Sequence, residues 1–105
     1  MQPQPKPYSN PEEFSCQEKW ALKLKGETEV QTEVGFADLV TKTHCYEVKA
    51  ARKWKQAIGQ SLTYSFYLGK KPGLILYNSK SQLNGRTYYI LEVCKHFGIK
   101  LIFDS

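Results

Sequence analysis

The sequence predicts an α/β domain: a mixed β-sheet flanked by helices, in the order α-β-β-β-α-β-α-β. Three observations lead there. Residues 28–50 hold three short segments rich in Thr, Val and aromatic residues, two of which read as the arms of a hairpin. Residues 51–68 switch to a helical period. Gly73-Leu74-Ile75-Leu76-Tyr77 is a continuous apolar run, the pattern of a central strand covered on both faces.

Each element has a local cause. Residues 1–10 carry three prolines and little to bury, so they read as a flexible lead-in to a single domain over 11–105. Asn10 caps a helix that opens with Pro11, carries Glu13 three residues after the cap, and runs to about Lys25, where Gly26 stops it. Phe14, Trp20, Ala21, Leu22 and Leu24 supply its apolar stripe. Thr28–Val34 alternates polar and apolar residues, and Phe36–Thr41 and Cys45–Ala50 turn around Lys42 and Thr43. From Ala51 to Leu68, residues Trp54, Ala57, Ile58, Ser61, Leu62 and Ser65 fall on one helical side, and Gly69 caps the end. Gly59 inside that helix is expected to permit close helix–sheet packing. A further helix over Leu83–Phe97, with Tyr88, Leu91, Cys94 and Lys95 at helical spacing, stops at Gly98, and Ile99–Phe103 makes the last strand. The first three strands suit antiparallel pairing, and the later strand–helix–strand unit suits a parallel crossover.

Charge and cysteine content narrow the function. The 105 residues carry a formal net charge of +5, which favours polyanionic partners. Cys16, Cys45 and Cys94 form no CxxC pair, and neither His44 nor His96 stands at zinc-ligand spacing from two of them, so they read as free thiols. No apolar run reaches membrane-span length and the N-terminus lacks a signal-peptide stretch. The expectation is an intracellular protein, cytoplasmic or nuclear, with no membrane partner.

The chemistry gathers on the hairpin. A turn centred between Lys42 and Thr43 sets Asp38 opposite Glu47 and Val40 opposite Cys45. Strand alternation then puts Asp38, Glu47 and Lys49 on one face. Opposed carboxylates repel, and a divalent cation would reverse that interaction. Mg²⁺ takes carboxylate and phosphate oxygens, so the cluster suits metal-assisted phosphodiester hydrolysis with Lys49 positioning the attacking water. The plainer alternative is a solvated face where Lys49 pairs with both acids.

The segments Gly35-Phe36-Ala37-Asp38-Leu39, Tyr46-Glu47-Val48-Lys49 and Gln60-Ser61-Leu62-Thr63-Tyr64 resemble the successive motifs of the PD-(D/E)XK nuclease superfamily. The resemblance covers roughly residues 12–77 and implies a restriction-endonuclease-like fold. Ala37 stands where the literal motif has proline. The resemblance implies Asp38 and Glu47 as ligands of Mg²⁺ (Mn²⁺ substituting), Lys49 as catalytic lysine, Glu18 as the completing acid from the first helix, and Gln60 as a further site residue. For Glu18, a solvent-facing acid beside Lys19 and Lys23 explains the residue equally well.

Arg52, Lys53 and Lys55 sit at the start of a helix, against the dipole preference, so they suit a phosphate partner or else form a solvated basic face. Tyr64 shares the edge of that helix with Gln60 and Lys53 and suits substrate contact. The function expected is a Mg²⁺-dependent endonuclease acting on DNA, branched or structured DNA included, as a homodimer. The alternatives are a catalytically inactive nucleic-acid-binding or protein-interaction module, or an RNA-directed nuclease.

Overall fold

The computed structural model describes residues 10–105; the lead-in over residues 1–9 lies outside the described residues. Helix α1 (Pro11–Leu24) is followed by strands β1 (Glu27–Thr32), β2 (Gly35–Val40) and β3 (His44–Ala50). A 3-10 turn (Ala51–Lys53) leads into α2 (Trp54–Leu68), then β4 (Lys71–Tyr77), α3 (Ser79–Leu83), α4 (Thr87–Phe97) and β5 (Lys100–Phe103). The strands form one open five-stranded sheet in the order β1-β2-β3-β4-β5. β1, β2 and β3 pair antiparallel, whereas β4 lies parallel to both β3 and β5.

Alternation along β3 and β4 sorts the core into two layers. Leu74 and Leu76 face the side covered by α2 and α4, packing with Ala57, Leu83, Ile90, Cys94 and Ile99. Ile75 and Tyr77 face α1, packing with Tyr46, Val48 and Ala50 of β3 and with Leu39, Cys16 and the half-buried Trp20 and Leu24. Phe14 and Leu22 of α1 are 40% and 83% exposed, so the stripe expected on this helix is rotated. Its buried positions are Cys16 and Gln17, and the Gln17 amide is held by Glu29 Oε2 at 2.9 Å.

The ends of α1 show two mechanisms. Asn10 accepts from the Glu13 amide at 3.2 Å, as the capping signature requires. At the C-terminus the left-handed residue is Lys25 (φ 56°), not Gly26. Gly26 is needed for proximity: a Cβ there would lie 2.8 Å from Leu39 Cδ1 and 3.0 Å from the Val40 carbonyl oxygen.

Several boundaries differ from the sequence expectation, two of them with a clear local cause. β1 stops at Thr32 because Glu33 and Val34 form the turn to Gly35, with the Thr32 hydroxyl donating to Gly35 O and accepting from Val34 N. The helix expected from Leu83 is broken by left-handed Asn84 (φ 47°) and Gly85 (φ 83°), an Asn-Gly pair that favours this conformation. Gly59 packs against nothing: a Cβ there meets no atom within 4 Å. Gly59→Ala should therefore raise stability by about 0.5–1 kcal/mol, read from the urea midpoint at unchanged m-value.

Candidate nucleic-acid interface

The hairpin has the register expected, with Leu39 opposite Tyr46 and Val40 opposite Cys45. The β2–β3 ladder ends there, and beyond it the two strands are bridged by side chains. Asp38 Oδ2 accepts from the Val48 amide at 2.8 Å, and Glu47 Oε2 accepts from the Asp38 amide at 3.0 Å. Both residues are fully buried. A buried amide without a partner is costly, so each carboxylate here substitutes for a missing ladder carbonyl. Asp38 and Glu47 thus close the mouth of a splayed hairpin.

Lys49, largely buried, has its Nζ 4.0 Å from Glu13 Oε1. The acid that α1 brings to Lys49 is Glu13, while Glu18 is exposed. Gln60 is half-buried, with its Oε1 lacking a hydrogen bond among the described residues. Tyr64 lies over Gly35, where a Cβ would sit 3.4 Å from the Tyr64 Cζ, and Gly35 itself has a φ of 145° that only glycine adopts readily. Among the described residues no group of three or more His, Cys, Asp or Glu side chains is placed to hold a metal ion.

The cations lie elsewhere. Arg52, Lys53 and Lys55 are exposed at the start of α2. This helix has no side-chain cap and no acid in its first turn. The same holds for α4, whose N-cap residue is the exposed Arg86. The two helix starts meet at one surface groove of about 470 Å³, lined by Trp54, Lys55, Arg86, Tyr89, Glu92 and Val93. The Arg52 amide is taken by Gln82 Oε1 at 3.0 Å, but a helix start still carries partial positive charge, so both dipoles add to that of the cations. Sequence reading finds the α2 half of this surface from its Lys and Arg residues. It misses the α4 half because the Asn84-Gly85 break, which makes Arg86 a helix cap, lies inside an apparently continuous helical period.

Asp104, just past β5, was also missed. It accepts from Trp20 Nε1 at 2.8 Å, Lys19 Nζ at 3.0 Å and Cys16 Sγ at 3.5 Å, tying α1 to the end of the sheet. Burial alone would raise its carboxyl pKa, but these hydrogen bonds and the Lys19 charge outweigh it and hold the group below its usual range. A depressed folded pKa adds stability that is present above the unfolded value near 3.9 and is lost as pH falls through the folded one. The melting temperature of the wild-type chain should therefore drop more steeply below about pH 4 than that of Asp104→Asn. Burial, reinforced by Asp104, pushes the Cys16 thiol up to about 12, and burial pushes Cys94 to about 11, so both stay protonated at neutral pH.

Three proteins of Acanthamoeba polyphaga mimivirus are similar to the chain. Its relatives are KilA-N domain-containing proteins. One is 42% identical over 100 residues, covering 92% of the chain and 39% of that protein. A second is 43% identical over 63 residues, covering 60% of the chain and 18% of the protein. A third is 34% identical over 97 residues, covering 90% of the chain and 25% of the protein. The chain thus spans well under half the length of each of these relatives. No protein-family profile matches it, and no solved structure matches it.

These relatives correct the resemblance to the PD-(D/E)XK nucleases and the restriction-endonuclease-like fold that it implied. The fold is a mixed α/β domain with an open sheet flanked by helices. Together with the lack of a metal-holding group among the described residues, they also overturn the Mg²⁺-dependent endonuclease, and with it the enzymatic function. The physical reason is that the motif residues have structural work of their own. Asp38 and Glu47 hold backbone amides, and Gly35 makes room for Tyr64. Short degenerate motifs arise readily from such needs.

Proposed function

We propose that the chain is a non-catalytic nucleic-acid-binding module, with DNA as its polymer. The observation that carries this is the meeting of two helix starts without first-turn acids, α2 and α4, at a groove lined by Lys55 and Arg86, with the exposed Arg52 and Lys53 adjacent in sequence. Helix N-termini and clustered cations both attract phosphate, and their coincidence concentrates positive potential on one surface. The net charge of +5 acts in the same direction over longer range. No RNP-type aromatic motif occurs in the sequence, which places DNA ahead of RNA.

Among the described residues no helix is long and apolar enough to cross a membrane. An intracellular location, in cytoplasm or nucleus, belongs to the same proposal. So does a homodimer, which would double the contact surface and is read by light scattering.

Fluorescence anisotropy with a labelled oligonucleotide tests the binding role. The wild-type chain should bind at low salt, release as salt rises, and leave the DNA uncut in Mg²⁺ or Mn²⁺. Absence of binding at low salt would overturn the proposal. A divalent ion at Asp38 and Glu47, with or without Glu18, is a separate proposal. It would show as a metal-dependent rise in melting temperature that Asp38→Asn abolishes.

A further inference from the structure

We propose that the groove between α2 and α4 seats an unpaired base of single-stranded DNA, stacked on Tyr89. The inference rests on the binding role above and deepens it by naming the strand state of the partner. Its ground is the aromatic content of the basic surface. Tyr88 and Tyr89 are 63% and 62% exposed on the first turn of α4, where their rings meet edge to face at 6.0 Å. Rings this exposed contribute little to the fold.

The groove combines the features that hold an unpaired nucleotide. Tyr89 offers a ring face, and Trp54 closes the opposite wall while packing into the core beneath. Lys55 Nζ already lies 5.7 Å from the Trp54 ring, which leaves Tyr89 as the stacking surface and Lys55 as a cation beside it. Arg86 is anchored by Nε to the Leu83 carbonyl at 3.2 Å, so its guanidinium is positioned before any ligand arrives. Phosphates flanking the base would meet Arg86, Lys55 and the two helix starts.

Glu92 is the discriminating residue. A carboxylate in a phosphate-binding groove repels the backbone, but it accepts hydrogen bonds from the amino group of cytosine or adenine. It also lines an adjoining groove with Tyr88, Leu91, Lys95 and His96, so one acid stands between two pockets along α4. A duplex keeps its base faces stacked inside, so it offers the Tyr89 ring nothing to stack on. A single strand presents faces, edges and phosphates together.

The test uses labelled single-stranded DNA of about 16 nucleotides, the upper end of the site size for one compact binding domain. The same sequence as a duplex and as RNA provides the comparison arms. Single-stranded DNA should bind about tenfold tighter than the duplex at equal salt, and RNA no tighter than single-stranded DNA. Tyr89→Ala should weaken it by roughly tenfold while Tyr89→Phe retains it, and duplex affinity should change less than about twofold. Melting by circular dichroism should show both variants folded as the wild type is. Equal or tighter binding of the duplex, tighter binding of RNA, or no effect of Tyr89→Ala, overturns the inference while leaving the binding role standing. Failure of the wild type to bind any of the three overturns the binding role itself.

Discussion

Asp38→Ala is expected to destabilise the domain by about 2–4 kcal/mol and to lower its melting temperature by roughly ten degrees or more. The carboxylate is fully buried and holds the Val48 amide at 2.8 Å where the β2–β3 ladder has ended. Alanine leaves that amide without an acceptor and leaves a void in a close-packed interior. Asp38→Asn keeps an acceptor of the same shape and should lose less than half as much. Urea titration monitored by tryptophan fluorescence gives both values. A loss below about 0.5 kcal/mol for alanine would mean that the hairpin mouth is held by something other than this carboxylate.

Replacing Arg52, Lys53 and Lys55 together by alanine is expected to weaken DNA binding on the order of a hundredfold at about 0.1 M salt. All three are exposed, and none belongs to either core layer, so the fold should survive. Helix propensity changes little or improves, since alanine is the best helix former. The loss should be nearly independent of base sequence, because phosphate contacts position the polymer without reading it. Anisotropy titrations on three unrelated oligonucleotides separate that uniform loss from a sequence-specific one.

These two predictions divide the residues that sequence reading placed in a single site. Register is legible from a turn: Lys42 and Thr43 define its centre, and the opposition of strand residues follows. What does not follow is where the ladder stops. Two opposed carboxylates look alike in sequence whether they hold an ion or replace ladder carbonyls, because that depends on how far two strands splay. The type of α2, β4 and β5 and the ends of α2 and α4 are legible from period and from the Gly69 and Gly98 caps, both left-handed. The starts of α2, β4 and β5 shift by one to three residues. The rotation of α1 is not, because Cys16 and Gln17 displace Phe14 and Leu22 only once the sheet behind them is in place. Asn84-Gly85 carries a turn signal that the apolar periodicity of its neighbours conceals. Asp104 has no local signal: its partners lie more than eighty residues away in sequence, on α1.

The slope of log affinity against log salt, measured for the wild type and the triple alanine variant on the same DNA, tests the basic surface most directly. Binding there predicts a wild-type slope steeper by about 2 to 3 units, close to one for each phosphate contact removed. Parallel slopes, with equal affinities at every salt concentration, would contradict it and move the polymer to another face of the molecule.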